Sequence, residues 1–237
     1  MKKKFTFILA FFVLAVLSLN AQTKKAYTTS GGEIIFSFAD INNQGNETGN
    51  IMRFSPFFNL QSNLNYDPNQ NFGVYTGLAI RNVGFIYDDP NSSSVRKKFR
   101  NYTIGIPVGL KVGKLDGAFV YAGYEIEFPL NYKEKTFDNE IKEDKFNVWF
   151  SNRVPALYHT LFLGVNLPYG ANLKFKYYLT NFHNKDFEET NSDGSKSKPY
   201  EFLEANVFYF ALSFDLFKNT QLVDPVEAKD TKSAALY

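Results

Sequence analysis

The sequence predicts an all-β fold: an eight-stranded antiparallel up-and-down transmembrane β-barrel. Three observations carry this. Residues 204–217 alternate, with Phe208, Phe210, Leu212, Phe214 and Leu216 on one face and Val207, Tyr209, Ala211, Ser213 and Asp215 on the other. Successive strand residues point to opposite faces, so this is a ribbon with one oily and one mixed side. Seven earlier segments repeat the pattern, joined by connections that alternate long and short. The chain also opens on an export leader, and no later apolar run approaches the ~20 residues of a spanning helix. Entry into a membrane then requires a closed barrel.

The leader is read from its parts. Lys2, Lys3 and Lys4 give a positive start, residues 5–17 are apolar except for Thr6, and Ala21 offers a small residue before a cut. This is a secretory signal peptide over residues 1–21 rather than a retained helix. Leu19, three places before the cut, leaves the cleavage site open. The barrel is assigned to residues 22–217 and a tail to 218–237. Removing the leader takes three of the 26 Lys+Arg and leaves 23 against 24 Asp+Glu. The basic bias therefore belongs to the leader, and no nucleic-acid partner is expected. The absence of cysteine excludes disulfides, thiolate metal sites and Cys nucleophiles. Aromatics are 18% of the chain at a mean hydropathy of −0.28, a composition that suits barrel strands with interfacial girdles.

In order, 33–39 is a strand with Ile34, Phe36 and Phe38 on one face. The second, 51–64, opposes Phe54, Pro56, Phe58 and Leu60 to Arg53, Ser55, Phe57, Asn59 and Gln61. The third, 72–87, opposes Leu78 and Ile80 to Tyr75, Ala79 and Arg81. The fourth, 99–112, sets Tyr102, Ile104, Ile106, Val108, Leu110 and Val112 against Thr103, Gly105, Pro107, Gly109 and Lys111. Pro107 cannot donate to a ladder, so a local bulge is expected there. The fifth, 118–132, sets Val120, Ala122, Ile126 and Phe128 against Tyr121, Gly123, Glu125 and Glu127. The sixth, 154–167, carries Leu157, Leu161, Leu163 and Val165 on its oily face. The seventh, 171–182, opposes Leu173, Phe175, Tyr177 and Leu179 to Lys174, Lys176 and Tyr178. Connections at 40–50, 88–98, 133–153 and 183–201 are long and polar; those at 65–71, 113–117 and 168–170 are short. With the N-terminus on the inner side, every short turn lies inside and every long loop outside, as in outer-membrane barrels.

The faces opposite the oily ones hold Arg53, Arg81, Lys111, Glu125, Glu127, Lys174, Lys176 and Asp215. A soluble lipocalin-like barrel reverses this arrangement, with its apolar side inward. Eight strands leave an interior just wide enough for side chains, and buried charges must be paired. These eight residues are expected to form a salt-bridge network that plugs the lumen, with a polar conduit or gate as the alternative.

On the leader, the alternating segments and the last strand, residues 27–217 resemble the small outer-membrane β-barrel proteins of Gram-negative bacteria. Tyr209, Phe214 and Leu216 are similar to that family's C-terminal insertion signal, with Ala211 where the family has Gly and a tail after a signal that usually ends the chain. The resemblance implies a monomer in the cell outer membrane, surrounded by lipid, inserted by the barrel-assembly machinery and acting structurally or through its external loops. A narrow channel or uptake protein for small solutes is the alternative reading, and a rim-located lipid-modifying enzyme the lesser one.

No enzyme is expected from the residues themselves. His183 heads a long loop near Ser192 and Ser195 and reads as a solvated loop histidine. His159 shares the lipid-facing parity of Leu157 and Leu161. Asp138, Glu140, Glu143 and Asp144 are oxygen donors of the kind Ca²⁺ takes. Lys133, Lys135, Lys142 and Lys145 interleave them, the pattern of a solvated charged loop, so no metal or cofactor is expected. Trp149 and Phe150 are placed at the membrane interface, with a partner contact as the minority reading. Gly31 and Gly32 precede a strand, so they form no phosphate loop. The tail reads as a disordered periplasmic extension.

Overall fold

The computed structural model describes residues 25–47, 50–89, 92, 94–191 and 193–219. The predicted signal peptide and almost all of the predicted tail lie outside the described residues. Eight strands make the ring: β1 (Lys25–Asn43), β2 (Leu60–Asp67), β3 (Phe72–Asp88), β4 (Val95–Gly113), β5 (Phe119–Asp138), β6 (Tyr158–Asn166), β7 (Ala171–Tyr178) and β8 (Leu203–Asn219). Each pairs antiparallel with the next, and β8 returns to β1. The closing seam runs from Thr28 opposite Asn219 to Asn43 opposite Leu203, so the ring leaves no open edge. The fold is an eight-stranded antiparallel barrel.

The alternation sorts inside from outside as expected. Leu78, Val108 and Leu163 are 60%, 59% and 58% exposed on the outer wall, whereas Arg81 and Glu127 are 1% and 0% exposed within it. Large apolar side chains exposed in this way along the strands mark a surface that meets something other than water. The three short turns, after Asp67, Gly113 and Asn166, share one end of the barrel with both ends of the described chain. The other end, the wide end, carries the long connections and the paired arm over residues 141–149.

Several expectations are corrected. β1 begins at Lys25, not at residue 33. The second strand is broken: Asn50–Ile51 pairs with β3, Arg53–Ser55 pairs with β1, and the ring resumes only at Leu60. Pro56 has no N–H to give, and Phe58 sits at φ 62°, so the ladder stops between them. Phe57, expected inward, is exposed beside Phe58. The 133–153 loop is sheet for most of its length. β5 continues to Asp138, and Ile141–Trp149 pairs back along it as an arm, turned by Asn139 and Glu140 at φ 45° and 65°. β6 therefore starts at Tyr158 and not at residue 154, and β7 stops at Tyr178, not 182.

Pro107 makes no bulge. The register of β3 and β4 is the same at Thr76 opposite Val108 and at Ala79 opposite Gly105, and the pairing is skipped between them. There the Thr76 hydroxyl donates to the Pro107 carbonyl at 2.8 Å. The bulge comes higher, where Tyr102 faces Asn131 and Thr103 faces Pro129. One extra residue reverses the parity of upper β5, and Tyr132 turns inward to full burial.

Candidate functional site

The interior is layered. At mid-height the inward positions of β1, β3, β5 and β7 carry charge, and each ion pair spans the strand between. Glu33 on β1 accepts from Arg81 Nε on β3 at 2.9 Å. Arg81 pairs closely with Glu125 on β5 and reaches Glu127 at 3.7 Å. Lys176 on β7 holds Glu125 at 2.8 Å and pairs closely with Glu127. Lys174, also on β7, closes on Glu33. The result is a ring of alternating sign around the lumen, three carboxylates and three cations, all buried. Thr103 and Tyr178 hydroxyls each donate to Glu127 at 2.7 Å, filling its remaining lone pairs. Gly105 is small for a reason: a Cβ there would collide with the Glu125 carboxylate.

Below the ring lies an aromatic layer. Tyr75, Tyr121 and Phe162 meet with ring centroids 6.1–6.3 Å apart. Their rings lie over Gly109, Gly164 and Gly123, where any Cβ would strike them. Below again, Lys111 pairs with Asp67 at 2.6 Å and donates to Tyr27 and Asn65. A cup of about 300 Å³ opens at this narrow end, with Asp215, Lys174 and Lys218 among its lining residues. Above the ring, Tyr158, Tyr178 and Tyr209 are buried, followed by Phe85, Phe99, Phe182 and His183. A second cup of about 500 Å³ opens at the wide end, lined by Lys97, Glu134, Arg153, Glu189 and Tyr200 among others.

The structure brings together Arg81, Glu125, Glu127, Lys174 and Lys176 of the predicted network. Lys111 belongs to the separate lower pair. Two placements are corrected. Arg53 is not in the ring: it donates to the Asn82 carbonyl at 3.1 Å and side chain at 2.6 Å, beside the break in the second strand. Asp215 lies at the narrow-end cup, half-buried, and among the described residues no ion pair within 4 Å joins it to the ring. Two residues were missed. Glu33 shares the parity opposite Ile34, Phe36 and Phe38, and that signal sufficed to find it. Asp67 falls in the predicted connection 65–71, where parity gives no side, and the structure places it at the end of β2. In the last strand Tyr209 points inward and is fully buried, while Phe214 and Leu216 face out.

His183 is likewise corrected, since it is buried and not solvated. Its ring stacks on Tyr200 at 4.2 Å and meets the edge of Phe99 at 4.5 Å. Nε2 lies 3.2 Å from the Tyr132 hydroxyl, and Nδ1 is buried without a partner among the described residues. Burial first, then Lys97 and Arg153, hold the imidazole well below its usual range, so it is neutral at pH 7. Ser195 bonds instead to Asp193 and Asn191. His159 faces outward against Tyr124. Among the described residues no group of three or more His, Asp or Glu could hold a metal ion; Glu140 of the acidic cluster pairs with Arg96.

No protein-family model and no curated protein matches the chain. Solved structures with a similar course include the attachment invasion locus protein Ail of Yersinia pestis, at 9% identity and TM-score 0.35, covering 80% of this chain and 98% of that one. Neisserial surface protein A gives 8% identity and TM-score 0.36 over 82% and 99%. Outer membrane protein OprG from Pseudomonas aeruginosa gives 13% and 0.32 over 80% and 96%. At such identities and scores these likenesses carry no argument, and the barrel rests on its own strand pairing.

Proposed function

We propose that the chain is an outer-membrane β-barrel whose plugged lumen makes it a rigid transmembrane post, structural or interactive through its wide end. The observation that carries the reading is the closed charge ring. A pore needs a continuous water path; here Arg81, Lys174 and Lys176, paired with Glu33, Glu125 and Glu127, cross the lumen, and aromatic layers stand above and below. The outward apolar wall supports the membrane, and the short turns at one end support a periplasmic face there. In this reading the chain is a monomer of the cell outer membrane. Tyr209, Phe214 and Leu216 present the insertion signal to the barrel-assembly machinery.

The test is conductance in planar bilayers with Glu125→Ala and Glu127→Ala introduced together. The expected result is unchanged insulation with lower unfolding stability. A large current in the parent chain, lost or altered in the variant, would favour a solute conduit.

A further inference from the structure

The outer wall of upper β4, upper β5 and the 141–149 arm carries six cations on one face. Cross-strand register puts Arg100 opposite Lys133, Lys98 opposite Lys135, and Lys135 opposite Lys145. Lys142 stands opposite Phe137 at the top of the same face. Like charges directly opposed across a sheet destabilise it, so this arrangement costs the fold something. The acids nearby do not relieve it. Asp88 and Glu140 pair with Arg96 at the upper edge. Asp144 pairs with Thr136 on the inward side, and Glu143 is the residue skipped in the arm's register shift. Lys98 rests over the Phe137 ring at 4.5 Å, and Arg100 over Tyr102 at 4.7 Å. The Arg100 Nε is buried with no hydrogen-bond partner among the described residues.

Height identifies what meets this face. One row below Lys133 and Asn147, Asn131 stands opposite Trp149. Trp149 and Phe150 are exposed, adjoining the apolar wall. Same-face rows are about 7 Å apart along a strand, less once tilted. Headgroups occupy about 5–8 Å beyond the hydrocarbon. With Trp149 at the hydrocarbon boundary, Arg100 and Lys133 stand one row up, within the headgroups, and Lys98, Lys135 and Lys145 stand two rows up, about 10 Å along the membrane normal once tilted, at the outer edge of the headgroups, all facing outward.

We infer that this face binds the phosphate groups of anionic lipid headgroups in the leaflet around the barrel's wide end. The inference rests on the membrane-barrel reading above and names the lipid chemistry that reading leaves open.

The test uses the full chain in neutral phosphatidylcholine vesicles. Insertion is first read as heat-modifiable mobility and protease protection. A glucosamine glycolipid bearing two phosphates is then added, or its dephosphorylated form, or soluble pyrophosphate, and the emission of Trp149, the single tryptophan, is followed. Binding is expected for the phosphorylated glycolipid only, weakened by salt. The combined variant Lys133→Gln, Lys135→Gln and Lys145→Gln should bind it about a hundredfold more weakly. That variant removes repulsion, so it should insert as well as the parent. Equal binding by the variant or of the dephosphorylated lipid overturns the inference while leaving the barrel intact. Pyrophosphate binding as tight as the glycolipid's would reassign the face to a soluble anion. Failure to insert at all overturns the barrel reading, and this inference with it.

Discussion

Charges on the two sides of the same wall are handled in opposite ways, and β5 carries both cases. Inside, its Glu125 and Glu127 meet Arg81 and Lys176, and every ring member has a partner of opposite sign. Outside and higher, its Lys133 and Lys135 face Arg100, Lys98 and Lys145. The ring is buried, so a lone charge there would be poorly solvated and folding demands near-neutrality within the chain. The outer face is open to its surroundings and can draw counter-charge from them. A charge set that balances itself marks structure; one that does not marks a place where something else completes it.

The sharpest way to break the comparison is to unbalance the interior. Arg81→Ala leaves the three carboxylates Glu33, Glu125 and Glu127 with only Lys174 and Lys176 to balance them, a net buried negative charge, and should cost about 3–5 kcal/mol of unfolding stability in urea titrations of the refolded barrel. A loss under 1 kcal/mol would mean the ring is not a unit. An intermediate case is His183, buried without a carboxylate partner. Its imidazole is held below the unfolded value near 6.5, so the folded state resists protonation. The stability it contributes is full above that value and is lost as pH falls beneath it. Between pH 7.5 and 5 the loss should approach, at most, about 2 kcal/mol, and His183→Leu should flatten that slope. A slope that survives the substitution would assign the pH dependence elsewhere. The smallest effect should come from outside: Lys135→Gln is expected to leave stability unchanged or raise it by about 0.2–1 kcal/mol in neutral micelles. A destabilisation there would erase the contrast between the two faces.

Much of this was legible beforehand for one physical reason. The side-chain period of a strand is two, so parity alone separates the lumen from the outer wall. Arg81, Glu125, Glu127, Lys174 and Lys176 were found that way, and Glu33 was within reach of the same rule. The predicted network held five cations against three carboxylates, an imbalance that pointed to missing acids; Glu33 and Asp67 supply two. Parity failed where its premise failed. Phe57 turns outward because the ladder stops at Pro56. Tyr132 turns inward because a bulge adds a residue below it. Arg53, near the first of these irregularities, was placed in the lumen for the same reason and bonds to Asn82 instead.

The sequence by itself determined the barrel class, the strand number, and which face of each regular strand turns inward. These follow from local alternation and from the sorting of connection lengths. Only the tertiary structure decided which charges are neighbours. Ion pairs that skip a strand join residues as far apart as Glu33 and Lys174, and no local pattern encodes which inward rows share a height. That depends on the stagger of all eight strands, fixed when β8 closes on β1. The same closure and register turned a loop read as solvated into a sheet with one charged face, and put its cations beside Trp149.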